Sequence, residues 1–269
     1  MKKEYILVID SGLGGINILK SLKENLKTEN FIYVLDNKNC PFGDKSKEFL
    51  VQNTIKLIDY YMHRYCIKLI VFACNTLTSA TICDIRQFLC EKRSEANFNL
   101  KCNNKKNNKT INYNIPVVGT EPPIKMVNTN EKTLILATKL TLKYNKIINE
   151  NLDEKNFTFV ALKDIAKLVD EDFYDRSKIY YSLKQQIPQK KYQNVVLGCT
   201  HYYYLENLIK MVLQNPHLKF FTATEGVTKQ VKRLLEQNQN SNLKKGRIII
   251  KLTKFNPKLA KTAKSILKN

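Results

Sequence analysis

Two stretches of this chain share one grammar, and that grammar restricts the folds open to the rest. In LIVFACNTLTSAT, the apolar run Leu69 to Ala73 leads straight into Cys74, Asn75 and Thr76 and then a helix-compatible segment. In VVLGCTHYYYL, Val195 to Gly198 lead into Cys199, Thr200 and His201 before an amphipathic segment. Each reads as a buried strand that delivers a thiol at its carboxyl end, where open α/β sheets bind ligands and where scaffold-held loops carry chemistry.

A free cysteine usually packs as a small hydrophobe, and Cys66, Cys83, Cys90 and Cys102 are read in that way. Cys74 and Cys199 differ. Hydroxyl and amide residues follow each of them at a strand-to-helix junction, where the positive end of a helix can lower a thiol pKa. They form a candidate pair for activated-cysteine chemistry.

The first half of the chain alternates strand and helix. EYILVID (4–10) ends at Asp10, and Ser11, Gly12, Leu13, Gly14 and Gly15 turn into INILKSLKENL. The turn is not a dinucleotide fingerprint, because Asn17 stands where GxGxxG requires glycine, and no GxxxxGK loop is present. Its glycines admit close backbone approach, and the helix start offers N–H groups to an anion. The alternative is that Asp10 and Ser11 simply cap that helix. FIYVLD (31–36) is the next strand, and Pro41, Phe42 and Gly43 form a rigid turn that reads equally as an ordinary surface turn before Ser46 opens a helix.

Residues 91–114 are polar and cannot bury enough apolar surface to form a core element, so they read as a linker or surface loop, or as a basic arm. The alternation then restarts with IPVVGT (115–120), a helix from about Pro122, TLILAT (133–138), FTFVAL (157–162) and NVVLG (194–198). A helix over about 227–236, a polar QNQNSN break, a strand RIIIKLT and a Lys-rich tail follow. The expected class is α/β, with two pseudo-symmetric lobes, mainly parallel sheets and an active site in the cleft between them. The boundaries expected are 1–92 with 222–269 for the first lobe, 93–114 for the linker and 115–221 for the second lobe.

Composition narrows the function. Seven cysteines without CxxC or paired metal-ligand spacing indicate reduced thiols in a cytosolic setting, with neither a disulfide framework nor a metal site. No apolar run of eighteen residues is present to span a membrane, and MKKEYILVID lacks a signal-peptide cleavage site. A net charge of +21 makes nucleic-acid binding the rival, non-enzyme hypothesis. It is disfavoured because the lysines are scattered among asparagines and no nucleic-acid-binding signature appears. The same field would draw in a small acidic substrate. The oligomeric state is left open by the sequence, with a homodimer compatible.

DSGLGG, YVLDNKNCPFG, VFACNT, GTEPPIK, LATKLT and LGCTHYYYL, in this order over about residues 10 to 205, resemble the glutamate racemases of the aspartate/glutamate racemase family. The resemblance implies two α/β lobes, with the chain leaving the first, building the second and returning to finish the first. It implies cofactor-independent inversion of the α-carbon of glutamate, supplying D-glutamate for peptidoglycan in the cytoplasm. Cys74 and Cys199 would be the acid/base thiols, assisted by Asp10 and His201. Ser11, Phe42, Gly43, Asn75, Thr76 and Thr200 would hold the substrate. Thr200-His201 favours glutamate over aspartate, the alternative substrate within the family. Asp170, in AKLVDED, stands with a shorter side chain where the family often has a catalytic glutamate, and Phe42 stands where tyrosine is usual.

Overall fold

The computed structural model describes residues 3–102, 111–145, 148, 155–236 and 245–268, with the backbone alone for 97–102. Strands β1 (Glu4–Asp10), β2 (Phe31–Leu35), β3 (Cys66–Phe72), β4 (Val117–Val118) and β9 (Ile248–Leu252) form one sheet in the order β4-β3-β1-β2-β9. Strands β5 (Thr133–Ala137), β6 (Phe157–Ala161), β7 (Asn194–Gly198) and β8 (Lys219–Phe221) form a second, in the order β6-β5-β7-β8. Every pairing is parallel. Strand-to-strand crossovers therefore need helices, and the central strands carry continuous apolar runs because both faces are covered.

Alternation along β1 shows how the first sheet is sandwiched. Leu7 and Ile9 face a core shared with α2 (Lys47–Arg64) and α3 (Asn75–Cys102), including Leu50, Ile58, Leu77 and Ile85. Ile6 and Val8 face the opposite core, shared with α1 (Ile16–Asn25), α8 (Thr224–Glu236) and α9 (Pro257–Lys268) through Leu19, Val231 and Ala263. The chain thus returns after the second sheet to close the first, with β9 pairing β2.

In the second sheet Leu134, Leu136, Val195 and Leu197 pack on α5 (Ile165–Glu171), α6 (Ser177–Gln186) and α7 (Glu206–Val212). A short α4 (Lys139–Tyr144) follows β5, capped by the Thr138 hydroxyl, which accepts from Thr141 N–H at 3.2 Å.

Four expectations need correction. Val117 and Val118, expected to open the second lobe, pair with Ile70 and Val71 and complete the first sheet. Residues 93–102, expected in a linker, continue α3, since Lys, Arg, Glu and Ala are good helix formers; the described side chains from Glu91 to Ala96 are largely exposed, so the segment adds no core. The helix expected from Pro122 is one 3-10 turn, Ile124–Met126, because prolines 122 and 123 donate no N–H and β5 begins at Thr133. Cys66, Cys83 and Cys90 are exposed rather than packed, and the side chain of Cys102 lies outside those described. Among the described residues no helix is long and apolar enough to cross a membrane.

Candidate active site

The parallel register brings the carboxyl ends of β1 and β3 together, and likewise those of β5 and β7. The two ends face one another across the glycine turn. Asp10, wholly buried, accepts from Gly12 N–H at 2.9 Å and from the Ser11 hydroxyl at 3.4 Å. Neither residue caps α1, whose N-cap is Gly15. The glycines admit the opposite lobe instead: a Cβ on Gly12 would lie 1.8 Å from Asp170 Oδ2, and one on Gly14 would lie 2.5 Å from His201 Nδ1. The turn is held from both sides. Tyr33 donates its hydroxyl proton to Gly12 O at 2.8 Å, Tyr204 donates to Leu13 O at 3.1 Å, and Leu13 N–H donates to Asp170 Oδ1 at 2.9 Å.

Cys74 sits between β3 and α3, and Cys199 between β7 and a 3-10 helix, Thr200–Leu205; both are buried. The expected lowering of the thiol pKa by a helix start does not prevail at Cys74. Burial pushes that thiol well above its ordinary value, the Asp10 charge adds to the effect, and the N–H groups of Leu77 and Thr76 only partly oppose it. Cys199 has a different neighbour. Its sulfur lies 3.8 Å from His201 Nδ1, and His201 Nε2 lies 3.1 Å from Asp170 Oδ1. A carboxylate only accepts, so Nε2 carries the proton. Burial alone would lower the His201 pKa, but the Asp170 charge and hydrogen bond, with the Cys199 sulfur, carry it well above the usual histidine range. Burial lifts Asp10 to about 6, against the pull of His201, Gly12 N–H and the Thr200 hydroxyl.

The other candidates lie around this cluster. Thr200 Oγ1 donates to Asp10 Oδ2 at 3.0 Å. Asn75 Nδ2 donates to Thr120 O at 3.3 Å. Thr76 Oγ1 lies 2.8 Å from Thr138 Oγ1, joining the two lobes. Phe42 is buried in the first core, and Gly43 lies against Thr138. A cavity of about 670 Å³ opens beside these residues, lined by Pro41, Gly43, Thr138, Lys139, Leu162 and Tyr202 among others. Asp170, on α5, reaches both the glycine turn and His201. Among the described residues no group of three or more His, Cys, Asp and Glu side chains is arranged to hold a metal ion.

Sequence reasoning missed three residues. Cys40 donates its thiol proton to Asp170 Oδ2 at 3.3 Å; the signal was its place immediately before Pro41. Tyr33 and Tyr204 read as strand and amphipathic-segment residues, and nothing local marks their hydroxyls. The arrangement offers two buried sulfurs on opposed lobes, one beside an acid and the other beside an imidazole that a second acid holds charged. Groups of this kind can take up and release protons.

Comparison with known proteins gives a consistent picture. No protein-family model matches the chain. It is 31% identical over 257 residues to the glutamate racemase of Clostridium botulinum strain Langeland, covering 92% of this chain and 89% of that one. Its fold superposes with a TM-score of 0.77 on glutamate racemase isoform RacE1 from Bacillus anthracis, at 22% identity over 100% of this chain and 96% of that one. The TM-score is 0.75 for glutamate racemase from Francisella tularensis in complex with D-glutamate, at 21% identity over 100% and 95%.

Proposed function

The chain belongs to the glutamate racemase family, a family of isomerases, and from that premise we propose that it interconverts L- and D-glutamate through proton transfer by Cys74 and Cys199. The observation that carries this reading is the unlike environment of the two buried sulfurs. Cys74 is held as a thiol by burial and by Asp10, so it is ready to give a proton. His201, held charged by Asp170, lies 3.8 Å from the Cys199 sulfur, and that sulfur is the one assigned to take a proton.

The α-hydrogen of an amino acid is very weakly acidic, and its removal requires a desolvated base on one face and a positioned acid on the other. In the L-to-D direction, Cys199 thiolate takes the α-proton and Cys74 thiol delivers its own proton to the opposite face. One thiol and one thiolate remain, exchanged between the lobes, and the D-to-L direction runs the same steps in reverse. No cofactor enters the scheme. N–H groups at the glycine turn and at the starts of α3 and the 3-10 helix, with Ser11, Gly43, Asn75, Thr76 and Thr200, hold the two carboxylates. Phe42, whose ring is buried in the first core, is assigned to the substrate site through its place between Pro41 and Gly43. The product would feed peptidoglycan synthesis.

A coupled assay on both enantiomers of glutamate and of aspartate, without pyridoxal phosphate, metal or nucleotide, tests the reading. Interconversion of the glutamate pair is expected. Activity on aspartate alone, or activity lost on chelation or borohydride reduction and restored by a cofactor, would overturn it.

A further inference from the structure

A third thiol touches this cluster. Cys40 lies in the segment between β2 and α2, on the first lobe, and Asp170 lies on α5, on the second. The Asp170 carboxylate is engaged at both oxygens: Oδ1 accepts from His201 Nε2 at 3.1 Å and from Leu13 N–H at 2.9 Å, and Oδ2 accepts from the Cys40 thiol at 3.3 Å. The main-chain donor and the thiol come from two separate segments of the first lobe and meet the carboxylate from different sides. Asp170 is nearly buried, with a side-chain exposure of 9%.

We propose that Cys40 is a positioning residue, whose thiol, donating to Asp170 Oδ2, fixes the carboxylate that orients His201 against the Cys199 sulfur. An aspartate has only two side-chain torsions, and rotation about the second swings both oxygens together. Leu13 N–H pins one oxygen. Without a donor at the other, the carboxylate plane is free to turn and its alignment with Nε2 degrades. A thiol is a weak donor, but its partner here is a buried carboxylate, the kind of acceptor with which hydrogen bonds are strongest.

Charge around this point comes from every neighbouring element. Asp10 ends β1, Lys167 and Glu171 share α5, and Lys254 and Lys258 reach the same cavity of about 410 Å³ that Cys40 and Asp170 line. Lys167 lies 3.9 Å from Glu171, and Lys258 donates to the Glu171 carbonyl. The substitutions below leave all of these charges in place, so a change at His201 reports the geometry of Asp170.

The test compares Cys40→Ser, which keeps a donor, with Cys40→Ala and Cys40→Val, which do not. The chain has three histidines, of which His63 and His217 are exposed, so the buried His201 ring can be followed by NMR as pH is varied. In the Ala and Val variants the ring is expected to titrate at lower pH than in the wild type, while Ser stays close to it. Resting on the racemase reading, kcat should fall about 3- to 10-fold in the Ala and Val variants, the loss of one net hydrogen bond. KM should change less than twofold, and Ser should recover most of the loss. A packing role would instead make Ser and Ala, which are nearly equal in volume, behave alike. If Ala and Val titrate as the wild type does, or if Ser falls with them, the proposal is overturned. Where Ala fails to fold, the Ser and Val pair decides. The ring titration needs no turnover, so a wild type inactive on glutamate would sink the functional reading and leave this one to be judged by NMR.

Discussion

Thr200 Oγ1 donates to Asp10 Oδ2 at 3.0 Å, a bond between side chains 190 positions apart that joins the carboxyl ends of the two sheets. It reaches a carboxyl that burial has lifted to about 6. A donor to the carboxylate favours the charged form, so removing it should raise the pKa further. In Thr200→Val, an acid limb governed by Asp10 should move to higher pH by about half a unit to one unit, equivalent to about 1 kcal/mol. A pH profile of kcat/KM in wild type and variant checks this, and a limb that does not move would detach Asp10 from Thr200.

The same carboxyl sets a stability trend. Its folded pKa, about 6, lies above its ordinary value of 3.8. The stabilisation this provides is therefore fully present below pH 3.8 and is lost as pH rises through 6. In Asp10→Asn the contribution is absent at every pH. The wild type should accordingly lose about 2 kcal/mol relative to the variant between pH ~4.5 and ~7.5, as proton linkage requires. Denaturant unfolding of both proteins at the two pH values measures the difference. An equal gap at both would contradict the burial account.

Asp170→Asn addresses the other acid. Burial pulls the His201 pKa down and Asp170 overrides it. With the charge gone, burial acts less opposed, and the ring should become neutral at lower pH. The Cys199 sulfur then loses its cationic neighbour at a lower pH than in the wild type. L- and D-glutamate have equal free energy, so kcat/KM must fall by the same factor in both directions; a loss of about 10- to 100-fold is expected for a removed charge-assisted contact. Polarimetry started from each enantiomer, alongside the histidine titration, checks both parts. An unshifted ring would remove Asp170 from the mechanism.

Much of this architecture is legible in the sequence because parallel strands buried on both faces appear as unbroken apolar runs, as in β1, β2, β5 and β7. What escapes is decided by pairing rather than by pattern. Val117 and Val118 join the first sheet through Ile70 and Val71, a choice that two residues cannot announce. The strand β8 is three partly exposed residues, too short for periodicity. In the site, Cys74 and Cys199 stand out because polar residues break an apolar run beside each. Cys40 does not, since its partner Asp170 is 130 positions away, and the Tyr33 hydroxyl is hidden in a strand that otherwise reads as core.

The division of labour between the two sulfurs is tested most directly with Cys74→Ser and Cys199→Ser. A serine hydroxyl ionises several pKa units above a thiol, so neither variant should racemise glutamate at a useful rate. Each retains the thiol on one face, and abstraction on that face alone suffices to eliminate HCl from threo-3-chloroglutamate. Cys74→Ser should therefore process only the L-like enantiomer, through Cys199, and Cys199→Ser only the D-like one, through Cys74. If either folded variant racemised glutamate at near wild-type rate, or consumed both enantiomers of the analogue equally, that cysteine would be a packing residue and the two-thiol account would be contradicted.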